Sequence, residues 1–99
     1  MDDEQLYSFV DNKKIGFKNK DGEVIIKPQY DDAHDFSYCL ARVCVNGKWG
    51  YVNKKGEEVI KAEWNRAFNF NEKGFAEVSN SKGQIFLIDK RGNIIKQLN

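Results

Sequence analysis

The 99-residue chain has one proline, one histidine, one methionine and two cysteines. Each scarcity removes a class of explanation. A zinc site wants about four ligands in paired spacings, and His34 with Cys39 and Cys44 does not supply them. The cysteines stand five residues apart. On one strand that odd spacing sends them to opposite faces, so two reduced thiols are expected rather than a bridge. No apolar run approaches the ~20 residues that cross a bilayer. The acidic start, Asp2-Asp3-Glu4, lacks the basic end and apolar run of a secretory leader, so the chain as given is expected to be soluble and cytoplasmic. Sixteen Lys and Arg balance fifteen Asp and Glu, for a net charge of +1. That is too little field to imply a nucleic-acid or anionic-membrane partner. A Gly-rich phosphate loop, a nucleophile elbow and a metalloprotease motif are all missing, so the expectation is a protein that is not an enzyme and holds no cofactor or metal.

What is present is aromatic and repetitive. Aromatic residues make up 13% of the chain and charged residues 31%. The bulky apolar groups argue against disorder, and the length fits a single domain, residues 1–99, that hides roughly 60–65% of its unfolded surface. Three segments align: Lys14-Ile15-Gly16-Phe17-Lys18-Asn19-Lys20-Asp21-Gly22, Lys48-Trp49-Gly50-Tyr51-Val52-Asn53-Lys54-Lys55-Gly56 and Gln84-Ile85-Phe86-Leu87-Ile88-Asp89-Lys90-Arg91-Gly92. Their closing glycines lie 34 and 36 residues apart. The agreement continues through Val24–Tyr30 with Glu58–Trp64, Ala33–Phe36 with Ala67–Phe70, and Leu40–Val43 with Phe75–Val78.

Each unit reads as β. Asn46-Gly47 suits a tight type I′ hairpin turn between an alternating strand from Ala41 and a return strand Trp49–Val52. Lys54-Lys55-Gly56 marks a second turn, and Glu58–Ile60 a short third strand, after which Lys61 to Gly74 crosses to the next unit. The predicted fold is all-β: about three tandem ~34-residue antiparallel hairpin or meander repeats packed side by side, with units near 7–40, 41–75 and 76–99. Whether they form an open stack or a closed ring is left open.

Comparing units separates scaffold from the rest. Ile15, Trp49 and Ile85 occupy one position, and Phe17, Tyr51 and Leu87 the position two further on, so all six share a strand face that should be core. Gly16 and Gly50 on the other face should admit a closely approaching strand or ring, and Phe86 in their place implies that the third unit packs differently. Positions that differ are free for function: Asp32 against Arg66, His34 against Phe68, Tyr38 against Glu72, Cys39 against Gly74 and Arg42 against Glu77. Tyr and Arg are common interface anchors, so Tyr38, Arg42 and Arg66 are the candidate binding residues. His34, Asp35 and Cys39 lack the third group and oxyanion site that nucleophilic chemistry needs. Asp31-Asp32 and Asn19–Gly22 lack the distal ligands of a calcium loop and read as turns.

The run Asn46-Gly47-Lys48-Trp49-Gly50-Tyr51-Val52-Asn53-Lys54-Lys55-Gly56-Glu57-Glu58-Val59-Ile60 resembles the signature of the WG-repeat (KWG-repeat) proteins, which are widespread in bacteria. Tyr30-Asp31, Phe36 and Leu40-Ala41 continue the pattern in the first unit, and Trp64-Asn65, Phe70 and Gly74-Phe75-Ala76 in the second. The resemblance implies a β-rich repeat scaffold with no shared active site. The function expected is therefore a protein-interaction module whose partner is another protein. The alternatives are a structural or self-associating repeat fragment, and carbohydrate or small-ligand binding on exposed aromatics.

Overall fold

The computed structural model describes residues 5–99. Eleven strands form three antiparallel sheets, and no helix occurs among the described residues. The first sheet contains β1 (Tyr7–Asp11), β2 (Lys14–Lys18) and β3 (Val24–Tyr30). The second runs in order through β4 (Asp32–Ala33), β5 (Ala41–Val45), β6 (Lys48–Val52) and β7 (Glu58–Trp64). The third repeats that order with β8 (Arg66–Ala67), β9 (Phe75–Ser79), β10 (Ile85–Asp89) and β11 (Ile94–Gln97). The chain changes sheet at Asp31 and at Asn65, so the short strand after each change already pairs with the next hairpin.

Turn chemistry accounts for the meanders. Asn46 (φ 53°) and Gly47 (φ 82°) form the expected two-residue turn, a geometry that matches strand twist. A second turn occurs five times, starting at Asn19, Asn53, Asn71, Asn80 and Asp89. In each, the side-chain oxygen accepts from the backbone N–H groups two and four residues on, at 2.9–3.1 Å. The fourth residue is always a glycine with positive φ. Asn19-Lys20-Asp21-Gly22 is thus a hydrogen-bonded turn, as its composition suggests.

The glycine of each Gly16 and Gly50 position has a geometric cause. Trp49 pairs with Trp64 while Tyr51 pairs with Ile60, so β7 carries extra residues opposite Gly50. The bulged backbone crosses directly over the glycine. A Cβ built on Gly50 would lie 2.4 Å from the Ile60 carbonyl oxygen and 2.7 Å from the Ala62 nitrogen. Gly16 is identical in kind, 2.5 Å from the Ile26 oxygen and 2.7 Å from the Pro28 nitrogen. This bulge also corrects the expected short third strand. Pairing resumes beyond it, so β3 and β7 each run seven residues, and Pro28 sits in the bulge of an edge strand, where a missing donor costs least. In the third sheet Phe86 replaces the glycine, β11 pairs directly alongside it through Gln97, and the ring lies 5.8 Å from Trp64.

The sheets stack in chain order around two cores that share ten positions, with Phe86 added in the second. The first contains Leu6, Phe17, Ile26, Tyr30, Ala41, Val43 and Val52, flanked by Ile15, Ala33 and Phe36. The second contains Leu40, Tyr51, Ile60, Ala67, Phe70, Ala76, Val78 and Ile88, flanked by Trp49, Trp64 and Phe86. Large residues on one sheet therefore meet Ala and Val on the next, which lets the faces close to interior packing density. An aromatic ring from each crossing completes the fit, Phe36 edge-on to Phe17 at 5.0 Å and Phe70 edge-on to Tyr51 at 4.8 Å. The middle sheet is buried on both faces, so the single core face expected from Trp49 and Tyr51 is half of its packing. Ile85 and Leu87 have no following sheet among the described residues and stay half-buried. The cores share only the middle sheet, and the stack is open, 43 × 32 × 15 Å.

Polar clasps mark each change of sheet. Lys14 pairs with Asp31, and Lys48 Nζ donates to Asn65 Oδ1 at 2.6 Å. The lysine before each strand core thus ties down the residue where the chain leaves the sheet.

Candidate functional site

Arg42 lies on β5 opposite Tyr51, facing the third sheet. Its guanidinium spans the gap, with Nη1 donating to the Ala67 carbonyl at 2.7 Å and Nε to Asn69 Oδ1 at 3.1 Å. The same group lies 5.9 Å from the ring centres of both Trp49 and Phe68, within the range of cation–π attraction. His34 packs on Trp49, with ring centres 5.6 Å apart. Beside this ladder a cleft of about 270 Å³ is lined by Arg42, Trp49, Arg66, Ala67 and Phe68. Next to it Tyr51 donates its hydroxyl to the Phe68 carbonyl at 2.6 Å, and burial pushes its pKa up against the opposing pull of Arg42, so it stays a neutral donor.

The cleft offers cationic edges beside aromatic faces. Two of the five guanidinium N–H groups of Arg42 are spent on the crossing, and an arginine has three others to present. Such a surface suits a segment with carboxylate and apolar groups in alternation. Arg42 and Arg66 are thus brought together, although Arg42 also holds the crossing in place. Tyr38 is not part of the cleft. It occupies a two-residue turn with Cys39 between Ser37 and Leu40, with φ of 51° and 77°, and its carbonyl accepts from Lys90 Nζ at 2.6 Å. Tyr38 is 52% exposed.

Trp49, expected to pack, and His34 and Phe68, which stand at a position where the units differ, also belong to this site. Phe68 is 52% exposed, and a signal existed in an aromatic pair at a non-recurring position. Cys39 is exposed and Cys44 buried, both free. Cys39 borders a hollow with Asn53, Lys54, Lys55 and Glu57, while His34 stacks on Trp49, so the two are not assembled as a nucleophile and its base. No group of three or more His, Cys, Asp or Glu poised for a metal occurs among the described residues, and none of the helix-type membrane spans either.

Three meander sheets stacked through identical positions define a tandem β-repeat protein. The model of the WG-containing repeat family matches twice, at residues 15–49 and 49–83. The chain belongs to that family. The first match runs from β2 to β6 and the second from β6 to the turn before β10, so each repeat spans the change from one sheet to the next. Comparison with curated proteins and with solved structures gives no match.

Proposed function

We propose that the chain is a non-catalytic binding module for another protein, and that the cleft between its second and third sheets is the binding face. The observation behind this is the Arg42–Trp49–Phe68 ladder with Arg66 beside it. Arg42, Arg66 and Phe68 stand at positions where the units differ, whereas the packing positions, that of Trp49 among them, recur in every unit. Buried aromatic anchors with arginines are the residue types that carry most interface energy. The preferred partner surface is acidic and partly apolar. Arg66→Ala and Phe68→Ala together leave both cores intact, so the double variant should fold and lose the partner captured by the parent chain. Capture equal to the parent would remove the cleft from consideration, and Tyr38→Ala tests the separate turn in the same way.

A second reading rests on Ile94, Ile95 and Leu98, which are exposed at the outer strand of the third sheet. Such residues favour self-association of a repeat fragment. A monodisperse monomer in sedimentation at high concentration would count against it.

A further inference from the structure

Each crossing seats one phenyl ring on the sheet before it. Phe36 rests on Phe17 in the core that contains Leu6, and Phe70 rests on Tyr51 in the core that contains Leu40. In the third sheet Phe75 stands where Leu6 and Leu40 stand, and Leu87 where Phe17 and Tyr51 stand. Phe75 and Leu87 line a cavity of about 300 Å³ together with Ala76, Glu77, Phe68 and Asn69. The cavity is therefore a third ring seat, and no residue of the described chain fills it.

Two of the differences between the third seat and the second change its polar groups. Leu87 stands where Tyr51 would donate a hydroxyl to a crossing carbonyl. Glu77 stands where Arg42 donates to the Ala67 carbonyl and to Asn69. Asn69 immediately precedes the seated Phe70. The donor set of the filled seat is thus replaced by a carboxylate at the point where the residue before the ring lies. We infer that this seat binds an extended peptide segment of a partner protein that carries a Lys or Arg immediately before a Phe. The ring enters the cavity against Phe75 and Leu87, and the cation meets Glu77. The site is separate from the Arg42 cleft, sharing only the Phe68 wall, and it prefers the opposite charge.

The chain supplies its own probe. A synthetic peptide of residues 65–71 carries the seated ring of Phe70 and is made in two forms, Asn69→Lys and Asn69→Glu. Each is titrated into the labelled full chain, and amide shifts are followed by NMR. The Asn69→Lys peptide should saturate with shifts centred on Phe75 and Leu87, and should bind about 5-fold more tightly than Asn69→Glu, the scale expected of one partly exposed charge contact. Glu77→Lys should reverse that order, and a Phe70→Ala peptide should lose binding. Arg66→Ala should leave all of this unchanged, which separates failure here from failure of the cleft. Absence of saturable shifts at Phe75 and Leu87, or equal affinity of the two charged peptides in both protein variants, would overturn the inference. So would dimerisation of the free chain that Leu87→Ala abolishes, since the occupant would then be a second copy.

Discussion

Replacing Gly50 with Ala adds one methyl group at the point where the bulged strand β7 crosses β6. The built Cβ meets only backbone: the Ile60 oxygen at 2.4 Å, the Ala62 nitrogen at 2.7 Å and the Ala62 Cα at 2.8 Å. Backbone cannot rotate away as a side chain does, so β7 must lift. Overpacking of this kind costs typically about 1–3 kcal/mol, and the upper end applies because β7 carries Ile60 and Trp64 of the second core. Against a total stability of about 5–15 kcal/mol, a loss near 3 kcal/mol lowers the melting temperature by about 12–24 °C for a domain of this size. Gly47→Ala is the control. Its added Cβ meets nothing within 4 Å, and only the positive φ of 82° opposes it, a penalty of about 1–2 kcal/mol. Urea unfolding of the three proteins, followed by tryptophan fluorescence, measures both. The order parent, Gly47→Ala, Gly50→Ala is expected. A Gly50→Ala loss within about 0.5 kcal/mol, the scale of an ordinary surface change, would refute the close-crossing argument.

Asn53→Ala removes the oxygen that accepts two backbone N–H groups in its turn and should cost about 1 kcal/mol, as loss of a comparable cap does, in the same urea assay. Asn53→Asp alone would set two carboxylates together, because Asn53 Nδ2 donates to Glu57 Oε1 at 2.8 Å, but Asn53→Asp with Glu57→Asn reproduces the Asp89–Asn93 pair of the third unit and should be nearly silent; a loss from that pair equal to the Asn53→Ala loss would contradict it. The Asp31 carboxylate is held below its ordinary range by the hydrogen bond from Lys14 and then by the Asn46 N–H. A depressed folded-state pKa adds stability above the unfolded value of about 3.9 and loses it as pH falls through the folded value. The stability gap between the parent and Asp31→Asn should therefore be present at pH 6 and shrink below about pH 4; a gap that stays constant into acid would show that the ion pair is not its source.

Much of the fold was legible because the chain states it three times. A turn such as Asn46-Gly47 is local chemistry, and so is the alternation of Trp49 and Tyr51 with Gly50; both hold in the structure. The length of β7 was not legible. Its bulge depends on register against β6, which nearby residues do not encode, and Lys61-Ala62-Glu63 has no pattern that marks it as strand. The site was partly legible. Arg42 and Arg66 stood out as departures from the repeat, but Arg42 turned out to brace a crossing through Ala67 and Asn69, and Trp49 to share its ring between core and cleft. Tyr38 was singled out by the same comparison, yet its turn places it elsewhere.

The sequence by itself determined the strands, the turns and the tandem order, because these rest on backbone preferences and on side-chain alternation within a few residues. Only the tertiary structure decided that each sheet would bury both faces or one. That depends on which neighbour covers it: Val52 and Ile88 are buried by the preceding sheet, and Tyr51 by the following one, while Leu87 occupies the same position with nothing described beyond it. A side chain's partner across a 10 Å sheet spacing is set by stacking, and stacking is a property of the assembled chain.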